Sequence, residues 1–391
     1  PASLSELEEY FEKLEIGSSV KLKHFLADAE KKYQIGMKDL VYKPSLRLSE
    51  FADTRVLTGL FKMHLFTSFA SFIRKYFKNP KIISLLEFPI LFLGATPKET
   101  PALYSLMNYA DIQLGTWYPM GGMFEFVKAF EKIALEQGVV FSLNNKVLGF
   151  NTSKGKVHSI TTSKGEIACD FVISGADYHH TEQLLKNKAN YSDTYWDKRT
   201  MAPSCLLFYV GLDCKVPGLL HHNLFFDEDF DKHAAEIYTN PKWPGKPLFY
   251  ASCPSKTDPS VAPEHGENLF LLIPIATNLQ DSEKIREEYF EVLRNRLIDK
   301  IGFDINPHII YKRSYCISDF MNDYNAFKGN AYGLANTLRQ TAILKPRIKN
   351  KHLSNLFYTG QLTVPGPGVP PSIVSGEVVA KHVIKQIDKL N

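Results

Sequence analysis

The feature that most constrains this chain lies near its carboxyl end, where a short apolar strand, a loop rich in proline and glycine, and a helix follow one another. The strand is predicted at 355–360, the loop spans 363–371, and the helix is predicted at about 372–388. Glycine lets the backbone approach a flat ligand, and proline fixes the shape of the loop. The helix should direct its first N–H groups and its positive dipole end at the loop. The segment suits a flat ring or a pyrophosphate, and a rigid structural turn is the simpler alternative.

The composition limits the classes of function that are open to the chain. Its 391 residues are enough for two domains, and 44% hydrophobic and 23% charged residues are ordinary for a globular protein. A net charge of +4 is too even for a protein that follows nucleic-acid phosphates, so we expect no nucleic-acid partner. Aromatic residues make up 13% of the chain, which is compatible with an apolar ligand tunnel or a membrane-facing surface.

The cysteines indicate neither a metal site nor disulfide bonds. There are five of them, they are scattered, and no two are spaced as CxxC. We therefore predict no bound metal and a reducing, cytoplasmic environment. The cysteines are Cys169, Cys205, Cys214, Cys253 and Cys316.

Two apolar runs raise the question of membrane contact. Residues 57–77 place aromatic and aliphatic side chains on nearly every side of a predicted helix, flanked by Lys and Arg. Residues 82–93 form a second run, which Glu87 and Pro89 interrupt, and it is shorter than the ~20 residues that a spanning helix needs. One interpretation is a patch that enters the membrane interface from one side, with its cations at anionic headgroups. The other is a helical core with ordinary charges at its ends.

The rest of the pattern alternates helices and short strands. Two helices are predicted within 3–34 and another within 123–137. A meander of short strands should follow, at 139–143, 146–150, 156–162 and 166–168. Residues 171–174 are then predicted as a buried strand. A second sheet is predicted from strands near 205–213, 247–253 and 268–275, followed by a charged amphipathic helix at 282–300.

Five motifs give the chain a resemblance to a known family. The longest is LFYTGQLTVPGPGVP at 356–370. The others are GTWYPMGGM at 115–123, VISGAD at 172–177, CPSKTDPSVAPEHG at 253–266 and DFMNDYNAFKGNAYG at 319–333. Together they extend over nearly the whole chain, and they resemble the bacterial-type carotenoid (phytoene) desaturases, which are FAD-dependent flavoenzymes.

The resemblance implies a mixed α/β fold. It would consist of an incomplete Rossmann-like FAD-binding domain and a substrate domain, the latter with a mixed β-sheet and a helical, membrane-associated subdomain. We expect a helical, membrane-facing part at 1–115 and the β-sheet substrate domain at 186–330. The FAD-binding domain would comprise residues 116–185 and 331–391.

Cofactor-binding residues near the carboxyl end are carried over from the longest motif. The resemblance implies that Gly360 and Gln361 lie near the ribityl and phosphate part of FAD. It places Gly368, Val369 and Pro370 beside the isoalloxazine ring.

Three further residues are carried over from the middle of the chain. Val147 should contact the adenine through its backbone, and Gly175 and Ala176 follow the strand that returns to the nucleotide-binding sheet. Many family members have Asn where this chain has Gly175. A dinucleotide-binding βαβ unit would also carry G-x-G-x-x-G and an acidic residue ~20 residues later. That motif is absent from the 391 residues, so we expect the chain to be part of a longer polypeptide and to bind FAD weakly without the rest.

The resemblance also implies the reaction. A desaturase removes a hydride and a proton from neighbouring carbons of a polyene, FAD accepts the hydride, and the protein aligns the polyene and excludes water. We expect a carotene or hydroxycarotenoid substrate, with 3,4-desaturation favoured, and assign no catalytic acid or base. The histidine pairs at 179–180 and 221–222 are interpreted as packing or surface residues, because no companion carboxylate is evident.

Three alternatives to a desaturase stay open. One is a flavin-dependent carotenoid cis–trans isomerase with a similar fold. Another is a non-catalytic carotenoid- or lipid-binding protein, since the dinucleotide motif is missing. The third is an amine or porphyrinogen oxidase of the same broad group of flavoproteins.

A carotenoid substrate would also determine where the protein works. Each buried CH₂ is worth ~0.8 kcal/mol, so a carotenoid cannot diffuse through water. We therefore expect a peripheral protein that docks monotopically on the cytoplasmic membrane, with residues 57–93 as the docking patch.

Overall fold

The structure, a computed structural model, describes residues 3–51, 67–91 and 94–389. These residues form a mixed α/β protein with a helical part, a small antiparallel meander, a parallel strand pair and a five-stranded sheet. The predicted fold class is confirmed. The five-stranded sheet differs from the expected mixed sheet, because every neighbouring pair of its strands is antiparallel.

The helical part contains α1 (Leu4–Leu14), α2 (Ser18–Ile35), α3 (Phe69–Tyr76), α4 (Pro80–Leu91) and the short α5 (Leu106–Tyr109). Apolar residues recur at helical spacing, so each helix turns a stripe of them inward. The stripes meet in one core, and its buried aromatic residues are Phe11, Phe25, Phe69, Phe72 and Phe77.

This core shows how the described part of the two apolar runs is used. Phe72 and Ile73 of the first run and Ile82 and Leu86 of the second are almost completely buried inside the protein. They hold the helices together, as the second interpretation of these runs expects. Residues 52–66 and 92–93 lie outside the described residues. Among the described helices, none combines the length and the apolarity that crossing a bilayer requires.

Helix α6 (Phe124–Glu136) leads into a meander of β1 (Val147–Ser153), β2 (Lys156–Thr162) and β3 (Gly165–Ala168). The prediction of a further strand at 139–143 was wrong. That segment pairs with no described strand, and an extended segment needs a partner for its backbone groups. No residue of α6 is buried, so its apolar face is open to solvent in the described structure.

Two strands that are distant in the sequence form a parallel pair. β4 (Val172–Ser174) lies beside β10 (Leu356–Tyr358). Helix α7 (Tyr178–Leu185) follows β4, and α12 (Val369–Ile387) follows β10. Helix α12 begins three residues before its predicted start, because proline is well tolerated in the first turn of a helix.

The five-stranded sheet has the order β6 (His222–Phe225), β7 (Phe249–Ser252), β8 (Glu267–Ile275), β5 (Ser204–Leu212) and β9 (Ile309–Tyr315). The sequence predicted the three central strands. It missed both edge strands, because β6 is only four residues long and β9 contains consecutive charged residues.

Helix α10 (Glu283–Ile301) covers one face of this sheet. Side chains alternate between the two faces along a strand, so alternate residues of β5 from Leu206 to Leu212 share one core with the buried residues of α10. Phe208 is fully buried there, with its ring centroid 5.1 Å from that of Phe290. Three shorter helices also belong to the described structure. They are α8 (Asp193–Asp197), α9 (Phe230–Tyr238) and α11 (Ile317–Tyr324).

The two faces of β5 should respond differently to truncation. Phe208→Ala should lower the free energy of unfolding by about 3–5 kcal/mol, because it leaves a cavity against Phe290. The matched control is Tyr209→Ala on the opposite face, where the ring is 42% exposed, and it should cost no more than about 1.5 kcal/mol. Chemical denaturation measures both, and equal losses would contradict the assignment of the two faces.

Candidate active site

A cleft opens where the parallel strands β4 and β10 end. Its volume is about 480 Å³. Its lining includes Gly175, Ala176 and Asp177, which follow β4, and Gly360 and Gln361, which follow β10. Ligands of open α/β sheets bind at the carboxyl ends of the strands, so this is where a cofactor is expected. We call this cavity the strand-end cleft.

The glycines of the strand-end cleft leave its wall free of side chains. Gly360 has a φ angle of +105°, and a Cβ added there would meet no atom within 4 Å. At Gly175 the nearest atom to an added Cβ is Thr359 Cγ2, at 3.8 Å. The Gly360 N–H donates to the buried Ser375 hydroxyl at 3.0 Å, which fixes the loop against α12. A planar ring or a phosphate chain can therefore approach the bare backbone closely, and a flavin cofactor fits this wall.

Helix α12 places its amino end at the edge of the cleft. Ser372 in its first turn lines the cleft, and the positive end of the helix dipole favours an anionic or electron-rich group there. The first turn offers fewer free N–H groups than the sequence analysis expects. Pro370 and Pro371 have none, and the Ser372 N–H bonds to the Gly368 carbonyl at 3.0 Å.

The structure separates the eight residues that the sequence predicts for FAD into two groups. The two that follow β4 and the two that follow β10 line the strand-end cleft together. The other four are not part of that lining. Gly368, Val369 and Pro370 are exposed at the start of α12, beside the lining residue Ser372. Val147 begins β1.

Polar contacts hold the floor of the cleft in place. The Asp177 carboxylate accepts hydrogen bonds from the His180 and Phe327 backbone N–H groups, each at 3.1 Å. Burial raises the pKa of this carboxyl above its ordinary value, and these bonds oppose the rise. The Gln361 side-chain amide donates to Asn330 Oδ1 at 3.1 Å. The loops after β4 and β10 are thus tied to the segment that follows α11.

The opposite wall of the cleft belongs to the face of the five-stranded sheet that points away from α10. The strands pair so that one residue from each falls in a line. Leu224 lies opposite Tyr250, Tyr250 opposite Leu272, Leu272 opposite Leu207, and Leu207 opposite Tyr315. We call these five residues the cross-strand row. Four strand spacings of ~4.8 Å make it about 19 Å long.

The cross-strand row joins the strand-end cleft to a second opening. At one end, Leu207 and Tyr315 line the cleft. At the other end, Leu224 lines a groove of about 790 Å³ between α4 and β6. A narrow apolar slot lined by Leu224, Tyr250 and Leu272 lies between them. The row thus extends from the groove to the cleft, and its central residues Leu272 and Leu207 are buried between them.

The two tyrosines of the row have partners for their hydroxyl groups. Tyr250 Oη lies 2.6 Å from His222 Nδ1, and Tyr315 Oη donates to Asp323 Oδ2 at 2.9 Å. Since their polar ends are satisfied, the rings present carbon surface to the row. The sequence showed alternating apolar residues in single strands. It could not show the row, because the row depends on the register of four strand pairs.

The histidine pairs make structural contacts. His221 Nδ1 lies 2.6 Å from Thr257 Oγ1, and burial lowers the pKa of His221. His179 Nε2 lies 3.2 Å from Asp193 Oδ1, a carboxylate partner that sequence reasoning did not find. Neither histidine lines the strand-end cleft.

Within the described part of the chain, one cluster of potential metal ligands occurs, and it lies away from the cleft. Ligand atoms of Asp213, Cys214 and His308 lie within 4.8 Å of one another. Asp213 and His308 already form a hydrogen bond of 2.9 Å. The pairing of β5 with β9 brings these residues together, so no spacing in the sequence indicates the cluster.

Helix α7, which follows the cleft loop, is anchored by a buried glutamate. Glu182 is 2% exposed, and it accepts hydrogen bonds from the Asn190 backbone N–H and from the Trp196 indole N–H. Burial raises its pKa to about 7, although these bonds favour the charged form. The folded protein therefore holds a proton here that the unfolded chain releases at a lower pH.

The cleft and its bare backbone suit an enzyme that binds a flat cofactor such as a flavin. The family of flavin containing amine oxidoreductases matches residues 16–384. Because this is most of the chain, the protein belongs to the flavin-containing amine oxidoreductase family. The predicted cofactor is thereby confirmed as a flavin.

Two relatives show which members of that family the chain resembles. The chain is 37% identical over 390 residues to a carotenoid 3,4-desaturase of Haloarcula japonica, covering 98% of this chain and 78% of the relative. It is 27% identical over 381 residues to a zeta-carotene-forming phytoene desaturase of Myxococcus xanthus, covering 95% and 73%. The resemblance to the carotenoid desaturases, drawn from the motifs, is confirmed.

A solved structure shares the fold. It is that of an oxidoreductase from Methanosarcina mazei, with a TM-score of 0.56 and 16% sequence identity. The alignment covers 86% of this chain and 74% of the other. At this identity the likeness shows the fold alone.

We predict that Gly360→Ala weakens flavin binding at least about tenfold, because its methyl group would occupy the space in the cleft where the cofactor approaches. Fluorescence titration with FAD measures the change. The matched control is Gly165→Ala in the meander, with a φ angle of +128° and again no atom within 4 Å of an added Cβ. It carries similar backbone strain outside the cleft, so it should bind like the unaltered protein. Equal flavin affinities of the two variants would contradict the assignment of the strand-end cleft as the flavin-binding site.

Glu182 should make stability depend on pH. Its pKa is about 7 in the folded protein and about 4.5 in the unfolded chain, so the folded state binds more protons between these values. The free energy of unfolding should therefore fall as pH rises from 4.5 to 7, by up to about 3 kcal/mol. Glu182→Gln should remove this fall, and the exposed Glu264→Gln should leave it unchanged. Denaturation at several pH values provides the test, and an identical slope in all three proteins would refute it.

Proposed function

We propose that the protein is an FAD-dependent carotenoid desaturase that introduces C=C bonds into a long apolar polyene. The observation that carries the proposal is that the strand-end cleft and the cross-strand row share Leu207 and Tyr315. Together they combine a wall that a planar redox ring can approach with a track for a long, thin, apolar substrate. Family membership and the named relatives support the same class of reaction.

The cofactor we propose is FAD in particular, held by the residues that the motifs indicate. The strand-end cleft supplies the part that contacts the ribityl chain and phosphates, and the first turn of α12 supplies the part beside the ring. The proposed residues are Val147, Gly175, Ala176, Gly360, Gln361, Gly368, Val369 and Pro370.

Desaturation removes one hydride and one proton from neighbouring carbons, and a bound flavin supplies the acceptor for the hydride. The chain itself binds and orients the polyene. The cross-strand row holds it extended, and Leu207 and Tyr315 meet it where the row enters the cleft. Close alignment of the reacting carbons and exclusion of water are the protein's contributions to the rate.

The substrate must reach the row from a bilayer, because its transfer through water would cost tens of kcal/mol at ~0.8 kcal/mol per CH₂. We propose that the groove between α4 and β6 faces the membrane. Leu220 on its lining is 72% exposed, and Lys81 stands on the same lining, together with Lys300, which pairs with Asp227 at 3.0 Å. Lysines next to exposed apolar side chains suit a surface of anionic headgroups. The protein would then be peripheral at the cytoplasmic membrane.

The proposed function divides the chain into parts with different roles. Residues 1–115 form the membrane-facing helical part and residues 186–330 the substrate sheet. Residues 116–185 and 331–391 contribute to the FAD-binding domain, because the strand-end cleft lies between β4 and β10.

Product analysis tests the reaction. The protein is produced in carotenoid-forming cells, and the carotenoids are separated by chromatography and weighed by mass spectrometry. A desaturase yields products that have lost two hydrogens per step, and we expect the new double bond at the 3,4-position. A rearranged product of unchanged mass would instead indicate a cis–trans isomerase, and carotenoids that stay unchanged would contradict both enzymatic functions.

A larger side chain in the cross-strand row should block the substrate. Leu224→Trp should reduce carotenoid conversion at least about tenfold, because the larger side chain closes the slot between groove and cleft. Flavin binding should not change, since Leu224 is not part of the cleft lining. The control is Ile310→Trp, which is 64% exposed on β9 and outside the row. Conversion is measured by chromatography of cell extracts, and equal conversion by the two variants would exclude the row as the substrate path.

A further inference from the structure

A buried lysine lies beneath the loop that precedes α12. Lys345 is only 4% exposed, and its ammonium group donates to Asn336 Oδ1 at 3.0 Å. The backbone of the loop passes close to this pair. A Cβ added at Gly366 would lie 3.1 Å from Lys345 Nζ and 3.2 Å from Asn336 Oδ1. Glycine at this position therefore allows the loop to rest almost on the ammonium group.

The charge of Lys345 is not balanced within the described structure. No described carboxylate forms an ion pair with it, and its one hydrogen bond leaves two N–H donors for another acceptor. Burial lowers its pKa to about 8. A buried ammonium without a counter-ion is unfavourable, so this site favours the arrival of a negative or electron-rich group.

A second source of positive potential converges on the same loop. Gly368 is the N-cap of α12, a helix of 19 residues, and no side chain caps that end. The positive end of the helix dipole therefore points at the loop from one side, and Lys345 lies beneath it on another.

We propose that Lys345 is a positioning residue for the proposed reaction, which balances the negative charge that the flavin gains when it accepts a hydride. A neutral oxidised ring that takes up a hydride acquires one negative charge, and Gly368, two residues after Gly366 in the same loop, is among the residues proposed to lie beside that ring. A fixed cation near this loop stabilises the reduced form over the oxidised form. The inference depends on the proposed function, because it requires a flavin at the loop.

The test compares Lys345→Met and Lys345→Arg in the flavin-loaded protein. Met removes the charge at similar length, and it should reduce the ratio of reduced to oxidised flavin at a given potential at least about tenfold, a fall of about 30 mV for a two-electron couple. Arg keeps the charge and should stay close to the unaltered protein. Lys385→Met, in the last turn of α12, is the control and should change nothing.

A second readout separates this role from a structural one. Removal of a buried unpaired charge should leave the thermal stability of the flavin-free protein unchanged or raise it. A structural lysine would give the opposite result, with lower stability and an unchanged potential. If Lys345→Met binds flavin with the potential of the unaltered protein, the inference is overturned. If the unaltered protein itself binds no flavin, the proposed function fails with it, and the two failures are distinguishable.

Discussion

The pairing of β4 with β10 is the interaction on which the rest of the site depends. These strands come from distant parts of the chain and run parallel, so their carboxyl ends meet at one edge of the pair. Neither Gly175 nor Gly360 forms the bare wall of the strand-end cleft alone. Two contacts bring them together. The rings of Tyr178 and Tyr358 stack with their centroids 3.9 Å apart, and the Gly360 N–H donates to the Ser375 hydroxyl of α12.

The five-stranded sheet adds the second constraint, through the alternation of its side chains. One face is committed to the core under α10, where Phe208 and its neighbours are fully buried. The other face is thereby free to form the cross-strand row. The core and the cross-strand row thus use alternate residues of the same strands, so the packing that stabilises the sheet also fixes the positions of the row residues.

Sequence reasoning recovered the features that are local. The strand, loop and helix near the carboxyl end were predictable because apolar, Pro/Gly-rich and helical segments follow one another there. β9 was missed because its charged residues hide an edge strand, and the segment 139–143 was mistaken for a strand because its apolar residues suggested a partner. The cross-strand row and the burial of Lys345 depend on contacts between distant segments. Spacing along the chain carries no signal for such contacts.

The central claim is that a flavin binds at the carboxyl ends of the paired strands β4 and β10. Hydrogen–deuterium exchange of the protein with and without FAD tests it most directly. Slower exchange should be concentrated in residues 174–178, residues 359–363 and the loop before α12, with α9 and the outer edge of the sheet unaffected. Protection that appears elsewhere, or no protection at all at saturating FAD, would contradict the claim.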